Sequence, residues 1–462
     1  MKGSPGPDGM SSTEIRAAFS LAGIYSLRML GLFMILPVFA LYAEHLEGFT
    51  PALAGLAIGI YGMTQALLQI PFGLLSDRLG RKRVIVAGLL LFALGSVVAA
   101  LADSMWGVIL GRAIQGAGAI AAAVMALTAD LTREEHRVKA MAVIGMSIGV
   151  SFAVAMVAGP LLNSWIGVPG IFWLTALLAL GGIAVLLWLV PQPVISRVHR
   201  DAEPIPAQFR SVLRNGELLR LDLGILVLHM ILTATFVVLP LVLRDELGLA
   251  AADHWKLYLP VMLGSMLAVL PFIFLAERKR RLKPVFLAAI LVLGLAEFGL
   301  YWLGDGLVAL ALWVFVFFAA FNLLEASLPS LVAKMAPPDS KGTAMGFYSS
   351  SQFLGAFLGG LLGGWLHARY GLQGVFLFCA LAAGGWLLVA LGMKNPRYLA
   401  SYLLPITPCD ARAAQRLAGR LTLVRGVAEA VVPTGEPVAY LKVDRHALDE
   451  VALEAFAVPP KD

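Results

Sequence analysis

The chain has 462 residues, 59% of them hydrophobic and only 14% charged, where soluble domains carry about 25% charged residues. A deficit this large over this length argues against a soluble enzyme and for a protein that crosses a membrane many times. The net charge of +6 calls for no nucleic acid partner, because basic residues gather in the cytoplasmic loops of membrane proteins.

Residues 1–16 read as an N-terminal cytoplasmic extension, and the start lacks the compact apolar core of a cleavable signal. Twelve apolar runs then follow, at 17–43, 52–76, 84–101, 105–129, 140–163, 169–190, 221–243, 255–276, 284–303, 307–334, 343–366 and 371–393. Each approaches or exceeds the ~20 residues that span a bilayer. A span must satisfy its own backbone groups, so each run predicts a helix. With the N-terminus inside, 23 of the 35 Lys and Arg fall on inward segments and three on outward ones. That bias predicts both termini in the cytoplasm.

The long Pro- and Arg-rich stretch 191–220 reads as a cytoplasmic linker, with an amphipathic surface helix at 207–220. It divides a first six-helix bundle, 17–190, from a second, 221–393. The halves echo each other: "PFGLLSDRLGRKRV" at 71–84 aligns without gaps with "PFIFLAERKRRLKP" at 271–284, pairing Asp77 with Glu277. Two related six-helix halves predict a transporter with its cargo site between them near the midplane. After Met393 the composition changes. Residues 398–457 read as strand, helix, hairpin and helix, a ferredoxin-like order with the last strand short or missing.

The loop after helix two carries Gly73, Asp77, Arg78, Gly80, Arg81 and Lys82. Asp77 and Arg81, four apart, can pair on one helical turn. With the twelve runs and the two halves, this loop resembles the signature of the major facilitator superfamily, over about residues 15–393. The resemblance implies an all-α membrane fold of two pseudo-symmetric six-helix bundles, here with a small α+β tail like that of certain bacterial inner-membrane members. It implies that Asp77 meets the start of helix eleven and that Arg81 pairs with Asp130 on helix four, holding the cytoplasmic side shut. The plain alternative is that the bases only set topology. Gly55 and Gly59 on helix two, and Gly355, Gly359 and Gly363 on helix eleven, have the spacing of close helix contacts.

Ionisable groups inside a membrane default to functional hypotheses. Arg112, Gln115 and Gly116 on helix four, and Gly159 and Pro160 on helix five, resemble motifs of proton-coupled antiporters in this superfamily. Arg112 cannot give up its proton, so its expected role is to act on a neighbouring carboxylate; a structural Arg held by helix one or backbone carbonyls is the alternative. Glu325 in helix ten is the leading carboxylate, with Asn322 one turn away as a cavity residue. Arg28 in helix one is an expected partner of Glu325 or of a cargo anion. His229 in helix seven has the chemistry to titrate near neutrality, or else simply packs. Glu297 in helix nine and Asp222 at the start of helix seven rank below these.

The expectation is a secondary transporter, coupled to protons and exporting a small molecule by alternating access. A proton symporter or metabolite exporter is the near alternative. A membrane receptor signalling through its tail is the distant one. No phosphate-binding loop appears, so neither a primary pump nor a nucleotide cofactor is expected. The lone Cys409 in the tail gives no paired-thiolate metal site, and the tail reads instead as a sensor, docking or self-association module.

Overall fold

The computed structural model describes residues 9–192, 204–302, 306–337, 339–396, 399–444 and 447–457. Helix α1, Ser12–Phe33, starts earlier than expected because Ser11 and Glu14 close a capping box, each side chain taking the other's backbone N–H. The predicted single run 17–43 is broken at Met34–Val38, where Pro37 removes a donor, and resumes as a short helix, Phe39–Ala43. Thr50 caps α2, Pro51–Leu79, which has proline at its first position. Gly80 stops α2 with φ 96°, a backbone conformation that favours glycine, and α3, Arg81–Ala100, starts at the next residue. The charged loop therefore folds as a corner between two helices.

Helix α4 has two pieces, Met105–Ala117 and Ala121–Asp130. The helical stretch Glu134–Trp188 contains a break at Gly167 (φ 67°), which divides it into α5, 134–166, and α6, 168–188. Helices α7 (Gly216–Asp245), α8 (His254–Arg278), α9 (Leu282–Trp302) and α10 (Leu307–Met335) follow. The stretch Lys341–Leu391 breaks at Gly371 (φ 74°) into α11, 341–370, and α12, 372–391. Among the described residues, ten helical stretches are long and apolar enough to cross a membrane, and the two breaks bring the rods to twelve.

The expected linker helix 207–220 forms in pieces rather than as one helix, with a break at Arg214 and Asn215. Residues 193–203 lie outside the described residues. Beyond them are one 3-10 turn, Pro206–Gln208, and a five-residue helix, Phe209–Leu213, before Asn215 caps α7 by accepting from Glu217 and Leu218. One face of the segment is buried, at Pro204, Gln208, Val212 and Leu218, and the other is exposed, at Ala207, Arg210, Ser211, Leu213 and Arg214.

The halves meet where α2 packs along α11 and α5 along α8. At the end away from the termini, the Arg244 guanidinium grips the Glu44 carboxylate with two bonds, 2.5 and 2.8 Å, across the halves. Leu241 closes on Ala40 and Leu41 beside it. At the termini end, Arg133 pairs with Glu14 (3.1 Å) and Lys334 with Glu277 (2.7 Å), each within one half.

The tail is a three-stranded antiparallel sheet, β1 (Ala400–Pro405), β2 (Val427–Val431) and β3 (Val438–Val443), in the order β1-β3-β2. Asp410 and Asp449 cap its helices α13, Ala411–Leu421, and α14, Glu450–Glu454. Ala439, Leu441 and Val443 enter its small core with Leu421 and Leu453. Alternation along the strand puts Lys442 on the opposite face. There Lys442 is buried, and its Nζ donates to the Lys334 carbonyl near the end of α10, 2.5 Å away. The open sheet face thus docks on the membrane part, favourably placed at a helix C-terminus.

Candidate functional site

Three groups of polar side chains sit within or at the edge of the apolar bundle. The first is the α2–α3 corner. Arg81 is buried and donates to Asp77, to Ser76 Oγ (2.8 Å) and to Asp130 Oδ2 (3.4 Å). The Asp130 side chain is 0% exposed and that of Asp77 is 23% exposed. Ser76, absent from the sequence-derived set, passes the network back to the Gly73 carbonyl at 2.7 Å. Lys82 donates to the Val190 carbonyl after α6 (2.6 Å), while Arg78 is exposed. The echo in the second half uses different chemistry for a similar tie, because Glu277 on α8 accepts directly from Lys334 and Ser330 on α10.

The second group lies in the first bundle. Arg112 does not touch a carboxylate, contrary to its expected role. Its donors go to Gln115 (2.9 Å) and to the Ala57 and Ile58 carbonyls of α2 (3.4 Å each), and it lies 5.1 Å from the Tyr61 ring centre. Gln115 continues to Ser96 on α3, and a Cβ at Gly116 would collide with the Tyr61 carbonyl. This set cements α4 to α2 and α3. Arg28 does not pair with Glu325 either. Its Nη2 donates to Tyr61 (2.5 Å) and Gln65 (2.6 Å), and Gln65 donates to Gln69 (3.0 Å). Tyr61, Gln65 and Gln69 recur every fourth residue in an apolar helix, a pattern that was readable from the sequence and passed over.

The third group lies in the second bundle. Glu325 on α10, Gln352 on α11 and His229 on α7 converge. The Gln352 amide donates to Glu325 Oε1 (3.2 Å) and to His229 Nε2 (2.8 Å), which lies 3.9 Å from the other Glu325 oxygen. Glu325 Oε2 has no hydrogen-bond donor, and the side chain stays 35% exposed deep within its helix. Gln352 was not anticipated. Asn322 turns away, donating to Ser265 on α8 (3.3 Å). Glu297 is fully buried between helices and accepts from Thr235, apart from this cluster. Asp222 is buried in the second turn of α7.

An aromatic layer sits just beyond these groups. Phe152 of α5 meets Phe33 of α1 at 5.0 Å and Phe318 and Phe321 of α10 at 6.1 and 6.0 Å. Arg28 precedes Phe33 by five residues and Glu325 follows Phe321 by four. With a rise of about 1.5 Å per residue and the two helices antiparallel, both lie about one turn to the termini side of the layer.

The glycine stripes correct one expectation. Gly55 and Gly59 do face α11, but their partners are Gly360, Gly364 and Phe357. Gly355, Gly359 and Gly363 instead abut Leu226, Met230 and Ala234 of α7. The two glycine sets are on different faces of α11, so one helix meets two neighbours closely. Gly159, followed by Pro160 in α5, fits against the Met34 carbonyl and Pro37 where α1 breaks.

Comparisons with known proteins agree with this architecture. The model of the Major Facilitator Superfamily matches residues 21–328 and 261–408. The inner membrane transport protein YajR of Escherichia coli (strain K12) is 49% identical over 445 residues, 96% of this chain and 98% of that protein. The multidrug resistance protein MdtH of Yersinia enterocolitica is 27% identical over 344 residues, 73% of this chain and 84% of that one. Among solved structures, a bacterial homolog of the human lysosomal transporter Spinster, inward-facing and occupied, superposes with TM-score 0.67 at 16% identity, over 85% of this chain and 100% of the other.

Proposed function

The chain belongs to the major facilitator superfamily as an integral membrane transporter, and on that premise we propose that it exports a small molecule in exchange for protons, by alternating access. The observation that carries the reading is the Glu325 cluster. A carboxylate deep in a membrane helix, with no Lys or Arg against it among the described residues and one oxygen undonated, is suited to hold a proton in transit. His229, bridged to it by Gln352, offers the second basic group of a relay.

Closure at Glu44–Arg244 and at the glycine contacts corresponds to the state with the far end shut. In that state Glu325 exchanges its proton with the termini side, and cargo enters from the same side. The Lys and Arg count supports placing that side in the cytoplasm, and the relative named as an inner membrane transport protein supports the bacterial inner membrane. Arg112 acts as a brace that keeps α2, α3 and α4 moving as one body, and Arg28, held by Tyr61 and Gln65, keeps two nitrogens that an acidic group could take when the bundle opens. The relative named for multidrug resistance supports export rather than uptake.

The test is proton movement in proteoliposomes that hold a pH-sensitive dye, with a panel of candidate compounds added on one side. Antiport requires compound-dependent proton flow in the direction opposite to the compound. That flow should fall at least tenfold with Glu325→Gln. Flow in the same direction would establish symport, and undiminished flow in the variant would remove Glu325 from the pathway.

A further inference from the structure

The linker fills a seam that the halves would otherwise close. Pro204 is buried between α2 and α11. A Cβ on Gly346 of α11 would lie 3.4 Å from Pro204, and one on Gly73 of α2 would lie 3.9 Å from it. Three hydrogen bonds pin the segment to the first turn of α11. The Ile205 N–H donates to Thr343 Oγ1 (2.9 Å), Thr343 Oγ1 donates to Gln208 Oε1 (2.8 Å), and Gln208 Nε2 donates to the Asp339 carbonyl (2.9 Å). The Phe209 ring stands edge-on to Phe347, 5.2 Å between centres.

The register of α2 against α11 shows what the linker displaces. The helices run antiparallel, with Gly55 against Gly360 and Gly364, Gly59 against Phe357, and Gly62 against Phe353. Continued toward the termini end, that register brings Asp77 opposite about residue 340. This is the N-terminal turn of α11, which Ser340 does not cap with its side chain. An acid is stabilised at such a turn. In this structure Asp77 bonds Arg81 instead, and the linker holds Thr343.

We infer that residues 204–209 are a strap that competes with Asp77 for the first turn of α11. The strap holds the seam in the state with the far end shut, and it must withdraw before Asp77 can engage α11 and the far end can open. This inference rests on the alternating-access reading. It adds the linker as a moving part whose sequence sets the balance between the two states.

The test needs no cargo. Spin labels at His45→Cys and Lys256→Cys, in the full chain with Cys409→Ser, report far-end separation in lipid nanodiscs by electron–electron resonance. Pro204→Gly with Gln208→Ala should raise the widely separated population roughly fivefold or more, the change expected from losing a net hydrogen bond and some packing. Thr343→Val, which leaves the linker intact, should act in the same direction. Adding Asp77→Asn should cancel the rise. Linker and Thr343 variants that keep the parent distribution, while Arg244→Gln shifts it, would overturn the strap. One unchanging separation in every variant, Arg244→Gln included, would overturn alternating access and the strap with it.

Discussion

Replacing Arg81 by Met removes the centre of the α2–α3 corner and leaves its acids in place. The Asp130 side chain is 0% exposed, so water does not replace the guanidinium when it goes. Removing one partner of a buried pair costs about 3–5 kcal/mol. Asp77→Asn touches the same arginine from the outside, where 23% exposure lets water replace much of the pair, and such pairs are worth about 0–1 kcal/mol. The expected order of thermal stability in detergent is therefore parent, then Asp77→Asn close behind, then Arg81→Met well below. Arg81→Met with Asp130→Leu should recover most of the loss, because the second change removes the buried charge. The assay is thermal unfolding followed by tryptophan emission, read as a rank order since a chain of several bodies need not unfold in one step. Equal losses for Arg81→Met and Asp77→Asn, or a double variant worse than either parent substitution, would refute the reasoning.

Gly55→Ala would press a methyl group into the Gly360 carbonyl and within 2.7 Å of Gly364 Cα, so it should spread the far end in the spin-label measurement; Gly23→Ala, with nothing within 4 Å, should leave the distance unchanged. Arg244→Gln removes a half-exposed pair and should alter stability by less than about 1 kcal/mol, while a cysteine replacing Leu41 beneath it should react several times faster with a maleimide. Burial pushes the Lys442 ammonium down to about 8 from its ordinary 10.5, so the docked tail holds that proton less tightly than an undocked tail does. Docking should therefore tighten as pH rises through the interval from 8 to 10.5, measured as the spin-label distance between Arg412→Cys and Lys279→Cys; loosening over that interval would contradict it.

What the sequence disclosed and what it hid divide along physical lines. The charged corner was legible because an acid and a base four residues apart in an apolar chain need each other, and Arg81 does hold Asp77 and Asp130. The twelve rods were legible because the bilayer imposes length and polarity together. The rotation of α11 was not, since two glycine sets with the same spacing differ only in the face they present. The backbone carbonyls that hold Arg112 match the structural alternative for that residue, but its Gln115 partner and the partners of Arg28 were hidden for another reason. Both settle on neutral acceptors, Gln115 and two carbonyls for one, Tyr61 and Gln65 for the other. Charge matching therefore looked for carboxylates and missed amides. The linker helix was expected unbroken, whereas Asn215, which accepts from Glu217 and Leu218, ends it and starts α7.

The single-residue turns at Gly167 and Gly371 carry a consequence for the surrounding lipid. With no loop between the rods, α5 cannot move without α6, nor α11 without α12. The outer rods present large apolar side chains outward, Trp188 at 82% and Leu388 at 73% exposure. A rocking of α11 against α2 therefore sweeps α12 sideways through acyl chains. The work of parting those chains enters the balance between the two states. Bilayer thickness and stiffness should thus shift that balance directly.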